Sequence, residues 1–142
     1  MKNITVRKIS MLPLFVFLLL SLDSCKKEAA PITYKIQGLW VGTIGNPTST
    51  AQPYALSIKA NGQITFEGYA ANTYHFGTGT WTLNGDSFTA NVTTLYGISS
   101  NVGVQQKLEA TFNSSTGILN NGKYVNTSPA NDAGTFSVTK VN

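Results

Sequence analysis

Tyr54-Ala55-Leu56-Ser57-Ile58-Lys59-Ala60-Asn61-Gly62-Gln63-Ile64-Thr65-Phe66-Glu67-Gly68-Tyr69 holds two alternating runs joined at a glycine. Leu56 and Ile58 are interleaved with Ser57 and Lys59, and Ile64 and Phe66 with Thr65 and Glu67. Successive side chains on a strand point to opposite faces, so this period of two sends the apolar residues one way and the polar residues the other. Asn61-Gly62 suits a tight connection, because both residues tolerate the positive φ of a hairpin turn. The stretch reads as a β-hairpin, Tyr54–Lys59 against Gln63–Tyr69, with one face in a core and the other in water.

The same pattern continues in both directions. Strand-like runs at Ile36–Ile44, Thr78–Leu83, Ser87–Tyr96, Val104–Asn113, Gly117–Val125 and Gly134–Val141 bring the total to eight. No helical period appears from Ile36 onward. The connections alternate in length. Asn61-Gly62, Asn84-Gly85 and Asn113–Gly117 are tight, whereas Gly45–Pro53, Ala70–Gly77, Gly97–Gly103 and Asn126–Ala133 are long. In a meander, successive connections fall at opposite ends, so every long one shares an end and every tight one shares the other. The expected fold is therefore all-β: an eight-stranded antiparallel up-and-down β-barrel with a pinched base and a loop-rimmed mouth. By the same parity, strand one starts at the base, and the chain before it leaves from there.

The apolar face of this barrel is bulky toward the base, with Trp40, Ile58, Ile64, Leu83, Phe88 and Phe112. Toward the mouth it becomes small or polar-aromatic, with Gly42, Gly68, Gly79, Gly122 and Gly134 among Tyr54, Thr94, Tyr96, Gln106 and Tyr124. Small residues leave volume, and tyrosines combine an apolar wall with a hydrogen-bonding tip, as ligand cavities are lined. The glycines equally suit strands that must coil or approach closely. Tyr54, Thr94, Tyr96, Gln106 and Tyr124 are the candidate lining residues, with Tyr74, His75 and Phe76 expected in a loop at the rim. Leu39, Leu119 and Val141 fall on the outward face near the base, as a dimer contact or as a patch that Ile32 and Tyr34 fold back to cover. The outward face is otherwise polar, which a membrane-spanning barrel cannot be.

Gly38-Leu39-Trp40 on the first strand resembles the Gly-x-Trp that opens the lipocalin and avidin barrels, the calycins. The resemblance covers residues 36–142 and implies that fold and a small apolar or amphipathic ligand. Lipocalins typically pack an arginine over this tryptophan and add a C-terminal helix; neither is present here. Lys140 stands where a cation could cover Trp40 instead.

Ahead of the barrel, Lys2, Arg7 and Lys8 precede an apolar run from Met11 to Leu22. As a helix this run would reach about 18 Å, short of the roughly 30 Å hydrocarbon core. It reads as the apolar part of an export signal. Leu22-Asp23-Ser24-Cys25 resembles the bacterial lipobox, in which the cysteine becomes lipid-modified and N-terminal, although Asp23 departs from the usual small or apolar residue. The resemblance implies a signal at 1–24, a lipid-anchored tether at 25–35 beginning on Cys25, and the barrel from 36. Lysine directly after the cysteine is similar to outer-membrane lipoproteins, with the domain periplasmic or surface-exposed.

Removing the signal leaves seven lysines against five acids, about +2, so half of the chain's formal +4 belongs to targeting. No arginine remains beyond Arg7, and arginine is the usual residue for bidentate contacts to phosphates and bases. Nucleic acid is not an expected partner. Cys25 is the only cysteine, which rules out an internal disulfide, a thiolate cluster and a redox pair. His75 is the only histidine and cannot complete a zinc set with so few carboxylates nearby. Glu67 and Glu109 both face outward, not across a cleft as paired acids in glycoside hydrolysis must. Neither an enzyme nor a cofactor is expected. Two functions stay open: a binding module with a small ligand in the mouth, or a non-enzymatic envelope interaction or inhibitor protein. The second would have a solid barrel whose loops meet a macromolecule.

Overall fold

The computed structural model describes residues 31–70 and 72–141. The signal segment, Cys25 and the first half of the tether lie outside the described residues. Eight strands follow in order: β1 Gly38–Gly45, β2 Gln52–Ile58, β3 Gln63–Ala70, β4 Thr73–Asn84, β5 Ser87–Tyr96, β6 Gln105–Asn113, β7 Ile118–Ser128 and β8 Ala133–Lys140. Each pairs antiparallel with the next, and β8 returns to β1 from Trp40↔Lys140 to Gly45↔Thr135. The result is a closed antiparallel up-and-down barrel with the topology of the lipocalins and other calycins. Closure leaves no strand edge unpaired.

The base is filled and then sealed. Trp40, Leu56, Ile58, Ile64, Phe88 and Leu108 are fully or almost fully buried and form the core. Trp40 donates its indole N–H to the Ile36 carbonyl at 2.8 Å, and Phe112 meets it edge-on at 5.9 Å between ring centroids. Lys140 Nζ sits 5.6 Å from the Trp40 ring and donates to the carbonyls of Gln37 and Lys35. Partial burial of that ammonium lowers its pKa. Tyr34 donates its backbone N–H to Ser114 at 2.7 Å and lays its ring where a Cβ on Gly117 would collide. The chain before β1 thus crosses the end formed by the tight turns. Ile36 and Tyr34 take part in the seal, whereas Ile32 stays 70% exposed.

Three local features depart from simple alternation. Asn121, at φ 53°, marks an extra residue on β7 relative to both neighbours: Glu109↔Lys123 is followed by Thr111↔Asn120, and Gly122↔Phe136 by Leu119↔Val138. This bulge reverses side-chain parity, so Leu119 is fully buried in the core and not on the outward face with Leu39 and Val141. The second departure is the connection expected over Ala70–Gly77. β3 and β4 run on as a hairpin until Ala70 faces Thr73, with Asn72 at φ 58° in the turn. The third concerns four of the small inward residues. A Cβ on Gly42, Gly79, Gly122 or Gly134 would strike backbone atoms of an adjoining strand or loop, so these glycines permit close chain approach. Gly68 differs: the nearest atoms to its missing Cβ are the Tyr54 ring at 3.4 Å and the Pro53 carbonyl at 3.9 Å, both at ordinary contact distance.

Candidate functional site

Above the Trp40 layer the barrel opens into a cavity of about 340 Å³ under the long connections. Tyr54, Thr94, Gln106, Tyr124 and His75 line it together. Tyr96, Tyr74 and Phe76 do not. The reason for Tyr96 is a second bulge: Gly77 pairs with Thr94 but Phe76 with Tyr96, which leaves Leu95 unpaired. Beyond it Tyr96 shares the outward face with Phe76, and the two are 63% and 37% exposed. Tyr74 points the same way at 73% exposure, its ring 5.0 Å from that of Tyr69.

His75 sits on β4, in the lengthened hairpin, and alternation turns it inward and buries it. Its Nε2 lies 3.3 Å from the Ala70 carbonyl. A carbonyl only accepts, so Nε2 carries the proton in that contact. The neighbouring Gly97 has φ 155°, and a Cβ there would press on the imidazole.

Opposite strands supply different chemistry. On the β1–β3 side stand Ile44, Tyr54 and Phe66, with the Tyr54 ring 6.0 Å from both Phe66 and Phe136. Tyr54 is buried, and its hydroxyl has no hydrogen-bond partner among the described residues. Burial pushes its pKa far above the ordinary 10.0, with a smaller contribution from Tyr124, so the hydroxyl stays neutral.

On the β6–β8 side a hydrogen-bonded chain runs along the wall. Gln106 donates to Asn126 at 2.8 Å, and Asn126 donates to Asn131 at 2.7 Å. Tyr124 donates its hydroxyl to Asp132 at 2.9 Å. The same carboxylate accepts from Asn46 at 3.2 Å and from the Ala133 N–H at 2.9 Å. Burial, then the bond to Asp132 and its charge, raise the Tyr124 pKa. Asp132 therefore ties the β7–β8 loop to the β1–β2 loop across the mouth.

Asn46, Asn126, Asn131 and Asp132 were not foreseen as lining residues. Asn126 and Asn131 lie in a stretch that reads as turn chemistry, although β7 continues to Ser128 and carries Asn126 inward. The signal for Asn126 was its spacing of two from Tyr124 and four from Gly122. Comparison with protein-family models, with curated proteins and with solved structures finds no match to this chain.

Proposed function

We propose that this protein is an exported, lipid-anchored binding module, not an enzyme, that holds a small amphipathic ligand in the mouth of the barrel. The observation that carries the reading is the open cavity above the Trp40 layer, where apolar rings face hydrogen-bonding groups. Pockets that combine a mostly apolar body with a few placed polar groups are typical of small-molecule sites. The cup's histidine and the only carboxylate among its described lining residues are each held by neighbours, which suits binding better than proton transfer.

Anchoring through Cys25 rests on the lipobox-like Leu22–Cys25 and the short apolar run before it. With the chain entering at the base, a lipid on Cys25 would leave the mouth directed away from an outer-membrane surface, toward arriving ligand. Wild-type protein should partition into the detergent phase of a two-phase extraction, and Cys25→Ser into the aqueous phase. Aqueous wild-type protein would remove the anchor from the reading. For the cup, the test is titration with a neutral fluorescent naphthylamine dye, comparing wild type with Gly68→Leu. Leucine at Gly68 fills the space beside Tyr54. Saturable binding by wild type alone is the expected result; equal binding by both rejects the cup as the site.

One observation favours a second reading, a contact with a macromolecule. Val41, Ala55, Glu67, Phe76 and Tyr96 form one continuous cross-strand row on the outer wall, with Tyr69 and Tyr74 beside it. Exposed aromatics at this density are unusual for a surface facing only water. If this wall is the working surface, Phe76→Ser with Tyr96→Ser will abolish function in cells while dye binding persists.

A further inference from the structure

The chemistry of the cup narrows the class of its ligand, on the reading that the cup is a ligand site. Six carboxamides line it: Asn46, Gln52, Asn101, Gln106, Asn126 and Asn131. Each offers both a donor and an acceptor. A hydroxyl also does both, so a carboxamide wall is complementary to a compound carrying several hydroxyls. A carboxylate or phosphate needs donors and a balancing cation. No lysine or arginine stands among the described lining residues, and Asp132 would repel an anion. An ammonium fares little better, because Asp132 already accepts from Tyr124, Asn46 and Ala133.

The opposite wall adds two constraints. Ile44, Phe66 and the Tyr54 ring present an apolar surface, against which a ligand needs a C–H face. Within that surface the Tyr54 hydroxyl is enclosed, with no partner among the described residues. The volume of about 340 Å³ lies at the small end for ligand cavities and favours a compact ring over a long chain.

We propose that the ligand is uncharged and rich in hydroxyls: the terminal one or two sugars of a neutral glycan. A pyranose has the required asymmetry, a C–H face for Phe66 and Tyr54 and equatorial hydroxyls for Gln106, Asn126 and Asn131.

The test uses the full chain in a non-glycosidic detergent and saturation-transfer NMR with calorimetry. The probes are maltose, cellobiose, diacetylchitobiose and galactobiose, set against hexanoate and hexylammonium. At least one neutral disaccharide should bind, and hexanoate should not. Gln106→Leu should weaken that disaccharide about fivefold, the equivalent of one hydrogen bond. Asn126→Leu should weaken it further. If hexanoate or hexylammonium binds and no disaccharide does, the sugar assignment is overturned while the cup remains a ligand site. If a disaccharide binds wild type and both variants alike, it binds elsewhere, and the assignment is again overturned. If neither the disaccharides nor the naphthylamine dye bind, the cup reading itself fails.

Discussion

The two ends of this barrel are built from the same alternating strands and resolve their interiors in opposite ways. At the base the inward positions are filled mainly by large apolar side chains, and the polar groups that meet them have partners: the Trp40 indole on Ile36, the Lys140 ammonium on two carbonyls, the Tyr34 N–H on Ser114. At the mouth the interior keeps a cavity, a carboxamide chain and, among the described residues, one hydroxyl with no partner. A fully packed, fully satisfied interior gains stability and has nothing left to offer a ligand. An interior with volume and spare hydrogen-bonding capacity gives up some stability and can recognise something. The division of labour runs along the barrel axis.

The sharpest way to break this contrast is at Trp40. Trp40→Ala should cost about 3–5 kcal/mol, as large-to-small changes in a rigid core do. Urea denaturation checks it, and a midpoint near that of wild type would mean that the base is not where stability resides. At the mouth the expected balance is reversed. Gly68→Leu should reduce dye affinity at least about tenfold, while stability stays within about 1 kcal/mol, since its Cβ meets neighbours no closer than 3.4 Å and the rest of the side chain enters the cavity. A large loss of stability there would erase the distinction between the ends.

Lys140→Met keeps much of the aliphatic stem but removes the charge over Trp40 and the donors to Gln37 and Lys35. A loss of about 1 kcal/mol is expected by thermal denaturation, with dye binding unchanged.

The smallest effect concerns Tyr54. In the unfolded chain its hydroxyl titrates near 10.0, and in the fold it does so well above that value. The folded protein therefore retains a proton that the unfolded chain releases. Stability from this group is complete below about pH 10 and declines as pH rises beyond it. Tyr54→Phe should flatten that alkaline decline, seen as a smaller fall in melting temperature between pH 9 and pH 11. At neutral pH it should change stability by less than about 1 kcal/mol, or raise it slightly, because an unsatisfied buried hydroxyl is removed.

Most of this architecture was legible in the chain. Period-two alternation and the placement of tight turns at Asn61-Gly62, Asn84-Gly85 and Asn113–Gly117 specify strand number, order and the two ends. Parity carries through only while no strand holds an extra residue, and here the reading broke twice. At Leu95 a bulge sends Tyr96 outward, and at Asn121 another sends Leu119 inward. Neither changes the composition of its strand. The one local hint is Asn120-Asn121-Gly122, where residues tolerant of unusual backbone angles interrupt a strand. His75 was misplaced for a related reason: Asn72 can make a tight turn with no glycine beside it, so the β3–β4 hairpin looked like a long loop. The polar side of the cup was the least visible, because asparagine in a strand and asparagine in a turn look alike until the register is known.

The seam between β1 and β8 has a consequence for the order of assembly. β1 can pair with β2 as soon as both have emerged, but its other edge waits for β8, which closes Trp40 onto Lys140. That pairing has the greatest sequence separation in the molecule, and contacts between distant residues are the slowest to form. The Lys140 clasp on Gln37 and Lys35 belongs to the same late event. Until it forms, the barrel is an open curved sheet with Trp40 near a raw edge. For a chain that crosses a membrane before folding, as proposed for this one, ring closure cannot precede delivery of the C-terminus. Truncation by a single strand would leave every other hairpin intact and still yield a protein that never closes.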